Sequence, residues 1–434
     1  MKKILIITYY FPPSGGSGVQ RWLKFVKYLP QFGWQPIVLT VNPKKANFPH
    51  FDHSLEKNIP PEVRVEHTDT FEILDFYKKI SAEKAAPSGN LTAEKYSSFP
   101  QKVFRFIRGN FLLPDPRRGW NKYAYRRACE LIEKENIQHI VTTSPPHSTQ
   151  LIGLRLKKKF PVLTWFADFR DPWTDVFYYK LLYPTRLADR VNKRYERKVL
   201  ETADKVIVTH ETTRNVFLSK SEKILPEKIA VITNGFDEDD FAAVKDNVLS
   251  RFTVTYIGIL TNADDLKSLL SAFSKIENKE NCLLRFVGQS GTVVASEIAK
   301  YSLEKYTEIV PQVSHSDVVQ LMADSSVLLL LTPNESEASS VLPGKLFEYL
   351  AAHRPILCIA SPDSDIRRII AENSAGQSFD YQDETKMLHF LEKQKTDWET
   401  NKISRLTNTA CLKYSRKNLT ARLVELLSNV SLRA

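Results

Sequence analysis

The chain has 434 residues, 42% of them hydrophobic and 26% charged, with a formal net charge of +11. That length exceeds what one core usually fills, and the composition excludes a disordered, collagen-like or disulfide-dense chain. No run approaches about 18 consecutive apolar residues, so no spanning helix is expected. Four scattered cysteines (Cys129, Cys282, Cys358, Cys411) disfavour a disulfide framework or a zinc site and fit a reducing cytosol.

In chain order, the first apolar run reads as a strand, Lys3–Thr8, rather than a leader, because Tyr-Tyr-Phe-Pro-Pro and glycines follow without a cleavage pattern. A helix Val19–Gln31 and a strand Gln35–Val41 come next. Between strand and helix lies Pro12-Pro13-Ser14-Gly15-Gly16-Ser17-Gly18. Glycine there lets a ligand approach the backbone, and a helix start favours negative charge. The dinucleotide spacing Gly-x-Gly-x-x-Gly is absent, and a ligand-free tight turn is the plain alternative. Residues 43–100 are the least legible, and part of them reads as a mobile loop.

Lys102 to Arg127 holds eight basic residues against one acid, Asp115, with six aromatics interleaved. In Lys102–Leu112, Val103, Phe106, Ile107 and Phe111 share a helical face, while Lys102, Arg105 and Arg108 lie elsewhere. Either this helix lies on anionic lipid, or it faces the core with a solvated basic side. Helix Asn121–Asn136, strand His139–Thr143, helix His147–Lys159 and strand Val162–Phe166 follow. Ser144-Pro145-Pro146-His147 stands at a strand's carboxyl end, the edge where open α/β sheets bind ligands. His147 could hydrogen-bond a hydroxyl there, or simply start a helix. Ala167-Asp168-Phe169-Arg170-Asp171-Pro172-Trp173 places three charges directly after a strand, which is costly unless they pair internally or meet a ligand.

Helix Pro184–Thr202 and strands Lys205–Thr209 and Lys228–Thr233 close the first half, and a polar linker runs from Asn234 to Ser250. A second alternating series has strands Phe252–Ile257, Leu283–Val287, Glu308–Val310, Val327–Leu331 and Ile356–Ala360. Alternation of this kind predicts parallel sheets with helices on both faces. Gly258 mirrors the first-half turn and could admit a diphosphate, or merely end a strand; Gly288 is a weaker case. Val341-Leu342-Pro343-Gly344-Lys345-Leu346-Phe347-Glu348 opens a helix between two apolar strands. Lys345 and Glu348 are three apart, so both lie near one face of it. A lysine that meets phosphate beside a carboxylate that accepts from vicinal hydroxyls would suit a nucleotide sugar. Asp363-Ser364-Asp365 reads as a helix cap rather than a metal site, and His50 and His53 as surface residues.

These motifs together resemble the large bacterial glycosyltransferase family 4. The resemblance rests on Gly15-Gly16-Ser17-Gly18, Ser144-Pro145-Pro146-His147, Asp168-Phe169-Arg170-Asp171-Pro172-Trp173, Asn234-Gly235-Phe236-Asp237 and Pro343-Gly344-Lys345-Leu346-Phe347-Glu348-Tyr349-Leu350-Ala351. It implies an α/β GT-B fold, two Rossmann-like doubly wound domains facing across a cleft. Residues 1–240 would bind acceptor, 251–410 the nucleotide sugar, and 411–434 would return to the first domain. It further implies a retaining enzyme that moves a sugar from a UDP- or GDP-sugar to a saccharide or lipid-linked acceptor, in surface polysaccharide or lipopolysaccharide synthesis. No cofactor and no metal are expected.

Within that reading Gly16, Gly258, Ser340, Leu342, Lys345 and Glu348 belong to the donor, with ribose on Glu348 and diphosphate near Lys345. His147 and Asp171 are the expected contacts at the transferred sugar or acceptor. Two positions depart from the family: Ser340 stands where a glutamate is usual, and Ile259 where an arginine is. A cytoplasmic protein, peripheral at an anionic membrane through Lys102–Arg127, is expected, with no nucleic-acid partner. The alternatives are a sugar-nucleotide 2-epimerase of the same fold, or a basic α/β protein that is non-catalytic or binds nucleic acid.

Overall fold

The computed structural model describes residues 1–72, 99–245, 247, 249–260, 264–289, 291–334, 342–400 and 409–430. The chain divides into two compact units, Met1–Asn234 with Arg416–Ala434, and Gly235–Ser415.

The first unit begins β1 (Lys2–Ile7), α1 (Ser17–Tyr28), β2 (Trp34–Val41), β3 (Arg64–Thr68), α2 (Phe99–Phe111) and α3 (Asn121–Glu135). It continues β4 (His139–Ser144), α4 (Ser148–Lys159), β5 (Thr164–Phe169), α5 (Arg186–Thr202), β6 (Lys205–Val208), α6 (Glu211–Leu218) and β7 (Ile229–Val231). All seven strands pair in parallel in the order β3-β2-β1-β4-β5-β6-β7. Strand β1 shows why the alternation was readable. Ile4 and Ile6 pack on one side of the sheet and Leu5 and Ile7 on the other, so both faces are apolar and the run is continuous.

The second unit contains α7 (Glu238–Phe241), β8 (Phe252–Ile257), α8 (Lys267–Ser274), β9 (Cys282–Val287), α9 (Gly291–Lys300), β10 (Thr307–Val310) and α10 (His315–Ala323). It ends β11 (Val327–Leu331), α11 (Lys345–Ala351), β12 (Ile356–Ile359), α12 (Asp365–Glu372), β13 (Gly376–Phe379) and α13 (Glu384–Glu399). Its sheet is also parallel, in the order β10-β9-β8-β11-β12-β13. The polar run after Asn234 packs on this unit: Asp240 accepts from His315 at 3.3 Å, and the Lys245 N–H donates to Gln320 at 3.0 Å. Helix α14 (Arg416–Val430) belongs to the first unit, where Leu419, Leu423 and Leu427 pack with Val19, Trp22, Leu23 and Val26 of α1.

Several boundaries differ from the sequence reading. Strand β5 starts at Thr164, because Pro161 and Val162 form a turn closed by the Leu163 N–H on the Phe160 carbonyl. It runs on to Phe169, so Asp168 lies inside the strand and not in the loop after it. Helix α5 starts at Arg186, where the Thr185 hydroxyl caps the Ala188 N–H. Strands β3 and β13 and helix α6 were not foreseen; β3 is a largely polar edge strand without an apolar period. Of residues 43–100, part of which was expected to be a mobile loop, 73–98 lie outside the described residues.

Candidate functional site

In each sheet the strand order reverses beside its first strand, between β1 and β4 and between β8 and β11. Open α/β sheets bind ligands at the carboxyl ends of the strands at such a point.

In the second unit that point is occupied by Lys345. Helix α11 follows β11, and Lys345 is its first residue. Its Nζ donates to the Ile257 carbonyl at 3.2 Å and lies 4.2 Å from the centre of the Tyr256 ring. Both residues end β8. Burial lowers the amine from its ordinary 10.5 to about 8. Tyr349, one turn further along α11, accepts the Ile257 N–H on its hydroxyl at 3.1 Å. Helix α11 therefore fixes both backbone groups of Ile257, and so the position at which the chain turns into Gly258. Gly258 has φ 141°, and a Cβ there would stand 3.4 Å from Lys345 Nζ. Gly288, at φ 112°, comes so close that a Cβ on it would meet the Gly258 carbonyl oxygen at 2.5 Å. Two glycines thus keep the end of β8 free of side chains next to a lysine amine.

Glu348 lies in the first turn of α11, with 29% of its side chain exposed and Oε1 4.0 Å from His315 Nε2. Leu342 is buried among Ile257, Leu346 and Phe347, so its side chain belongs to the core and only its backbone remains for a ligand. Ser340 lies outside the described residues. The expected anion site at the helix start is weaker than the sequence suggested. Helix α11 has only seven residues, and the Leu346 and Phe347 N–H groups are already used by the Pro343 and Gly344 carbonyls. The cation at this switch point is Lys345, whose Nζ lies beside the Ile257 carbonyl and Gly258.

In the first unit Gly16 precedes α1 at φ 99°, a conformation that favours glycine. Its neighbour Gly15 donates to the His50 carbonyl at 3.1 Å. His147 stands at the start of α4, with its ring stacked on Trp173 at 5.1 Å and 8°. Both ring nitrogens are buried and lack a hydrogen-bond partner. Burial, with Arg170 nearby, lowers its pKa to about 3, so the imidazole is neutral at ordinary pH. A neutral imidazole can donate at one nitrogen and accept at the other. Asp171 follows β5 and is half-buried. Tyr178 is near it: burial raises the pKa of this hydroxyl and Asp171 adds to the rise, while Arg108 and Arg170 oppose it.

The charges of Asp168 and Arg170 do not pair with each other. Asp168 is fully buried and pairs with Arg21 of α1 at 2.9 Å, and it also accepts from Trp22 Nε1 and the Thr143 hydroxyl, each at 2.8 Å. Arg170 instead donates from Nε to the Ser144 carbonyl at 3.2 Å. Nor do the cations of Lys102–Arg127 form one outward patch. Arg105 is buried, Arg117 pairs with Glu72, and Arg127 pairs with Glu66 and Glu130. Asp365 pairs with Arg368 at 2.8 Å and His53 with Glu56 at 2.8 Å.

Sequence reasoning missed two carboxylates that shape the first-unit site. Asp115 accepts from the N–H and hydroxyl of Ser148 at 2.6 and 2.8 Å, which fixes the turn carrying His147. Its place between Pro114 and Pro116 marks a turn and was a usable signal. Glu196 of α5 accepts the Trp173 and Thr174 N–H groups at 3.0 and 3.3 Å and pairs with Lys220 at 2.8 Å. It thereby holds the loop whose tryptophan stacks on His147, and no local pattern marks it.

Two doubly wound units of this order define the GT-B class, and solved structures agree. The chain is similar to the sucrose-phosphate synthase of Thermosynechococcus elongatus (14% identity, all of both chains, TM-score 0.64). It is similar to Anabaena HepE solved with UDP (13% identity, 99% of this chain and all of that one, 0.63). It is also similar to the lipopolysaccharide outer core galactosyltransferase WaaB (12% identity, 98% and 99%, 0.58). Residues 85–240 match the family described as Glycosyltransferase Family 4, and residues 237–407 that described as Glycosyl transferases group 1. The chain belongs to the family 4-like glycosyltransferases. No curated protein matches it. Both family models describe glycosyltransferases and not the epimerase alternative.

Proposed function

We propose that this glycosyltransferase moves a sugar from a UDP- or GDP-sugar to a saccharide or lipid-linked acceptor, retaining anomeric configuration, in surface polysaccharide or lipopolysaccharide assembly. The observation that carries the reading is the Lys345 amine at the open end of β8, beside Gly258. A diphosphate placed there meets a desolvated cation, and the charge that grows as the sugar departs is stabilised by the same group. Glu348, on the same helix, takes the ribose hydroxyls. HepE, whose fold the chain shares, was solved with UDP, UDP-glucose, and UDP with glucose, which supports a uridine donor. WaaB supports the lipopolysaccharide setting.

His147, neutral and with both nitrogens unpartnered, would hydrogen-bond hydroxyls of the transferred sugar or acceptor. Asp171 is a second contact there. No protein nucleophile is assigned, and the departing phosphate oxygen takes the acceptor proton. Lys345 supplies the cation, so no metal is needed.

Incubation with UDP- and GDP-sugars and a lipid-linked saccharide extract tests this. Release of one nucleoside diphosphate, a product with the donor's anomeric configuration by NMR, and unchanged rates in EDTA are expected. Inversion, or loss of activity in EDTA that Mn²⁺ restores, would contradict the reading.

A further inference from the structure

Helix α10 begins where two carboxylates converge. Its first residue is His315, and the Nε2 of that ring lies 3.3 Å from Asp240 Oδ2 of α7 and 4.0 Å from Glu348 Oε1 of α11. The first oxygen is within hydrogen-bond reach and the second is within ion-pair range. A carboxylate only accepts, so the nitrogen that faces two of them carries its hydrogen. Elements far apart in sequence, α7, α10 and α11, thus meet at one imidazole. All of them belong to the second unit.

The ring and its first partner are held by the chain around them. The Ser314 hydroxyl caps α10, accepting the Asp317 N–H at 3.3 Å and donating to Asp317 Oδ2 at 2.6 Å, which fixes the turn from which His315 projects. Asp237 caps α7 by accepting the Asp239 N–H at 3.3 Å, and its carbonyl accepts the Asp240 N–H at 3.1 Å. The chain beyond α7 then runs along α10. Lys245 and Gln320 exchange hydrogen bonds at 3.0 Å in each direction, and Asn247 donates to Asp324 at 3.0 Å. The Asp240–His315 contact therefore rests on a frame that exists before any ligand arrives. Glu348 differs, because 29% of its side chain is exposed. A glutamate has several rotatable bonds to fix before it can accept from two hydroxyls in one geometry.

We propose that His315 is a positioning residue for the donor: its Nε2–H, aimed by Asp240, holds the Glu348 carboxylate in the orientation that receives the ribose hydroxyls. The proposal rests on the donor reading above, in which Glu348 takes the ribose. His315 touches no reacting atom and acts through Glu348. Without the imidazole, Asp240 and Glu348 would face each other as like charges with no hydrogen between them, and Glu348 would turn toward solvent. With it, the carboxylate is oriented in advance, and its rotamer entropy is lost before binding rather than on binding. The effect is confined to the ribose. The diphosphate is met by Lys345 at the end of β8, which does not depend on His315.

Calorimetric titration with UDP and with its 2′,3′-dideoxy analogue, or with the guanosine pair if GDP is the nucleotide bound, separates this role from a structural one. Wild type should bind the ribose form about tenfold or more tightly than the dideoxy form, the difference expected for hydrogen bonds to a charged group. Glu348→Ala should bring the two nearly level. His315→Ala should lower affinity for the ribose form about fivefold, the effect of one ordinary hydrogen bond, and leave that for the dideoxy form unchanged. His315→Gln, whose amide donates from a similar position, should recover most of the preference. Asp240→Ala should weaken the preference when His315 is present and add nothing in His315→Ala, because Asp240 acts through the ring. Binding of the dideoxy nucleotide is itself the check that each variant folds. A preference abolished by Glu348→Ala but kept in His315→Ala would overturn this proposal and leave the donor reading standing. Equal losses for both nucleotides in His315→Ala would also overturn it, since the histidine would then only support the fold. A preference that Glu348→Ala leaves intact, or no binding of either nucleotide, would overturn the ribose assignment and the proposal with it.

Discussion

Lys345 has its amine at about 8 because burial against β8 disfavours the charged form. A bound diphosphate needs that charge. The free lysine loses its proton as pH rises through about 8, while nucleotide phosphates are already ionised. Affinity for a nucleoside diphosphate is therefore predicted to be flat below this pH and to fall above it, toward roughly tenfold per unit. Lys345→Ala should weaken binding by about 10–150-fold and remove the dependence, the loss expected for one charged hydrogen bond. Lys345→Arg keeps its charge and should bind without the fall. Calorimetric titration across that range checks all three, and a flat wild-type profile above pH 8 would contradict the role. Lys345 and Glu348 were legible because their chemistry sits within one short strand–loop–helix pattern. The partner of Asp168 was not, since Arg21 lies 147 positions away and only the fold brings them together.

At the level of elements, β5 and α1 are tied by that pair. Arg21 is 1% exposed and Asp168 fully buried, and the Trp22 and Thr143 side chains complete the carboxylate's hydrogen bonds. Removing one partner of a buried pair leaves the other uncompensated. Asp168→Ala is predicted to cost about 3–5 kcal/mol in urea unfolding. A loss under about 1 kcal/mol would mean that the pair behaves like a surface ion pair. Elements buried on both faces, such as β1 and β11, were readable as apolar runs. Strand β3 was not, because an edge strand made of Arg64, Val65, Glu66, His67 and Thr68 is stabilised by side-chain pairs, Arg64 and Arg127 on Glu66, that sequence order does not display. Helix α2 was seen, but which of its faces is exposed depended on α5 and the turn at Leu182.

For the whole molecule, the alternation of strands and helices announced two doubly wound units, and the structure supplied what alternation leaves open, the strand order. That order turns scattered motifs into sites. It puts Gly258 and Lys345 at one switch point, and the glycine loop after β1 and the His147 turn after β4 at the other. The net charge of +11 was visible from the start, but its placement was not, because arginines in Lys102–Arg127 pair inward while those of α5 face outward. The central claim is that the second unit holds a nucleotide sugar through Lys345 and Glu348. The most direct test is thermal stabilisation by UDP, GDP, ADP and CDP, with wild type beside Glu348→Ala. The account predicts that UDP or GDP alone stabilises the wild type, by about 2.7 kcal/mol at a hundred times its Kd, and that Glu348→Ala loses most of that gain. Equal stabilisation of both proteins, or none by any of the four nucleotides, would contradict it.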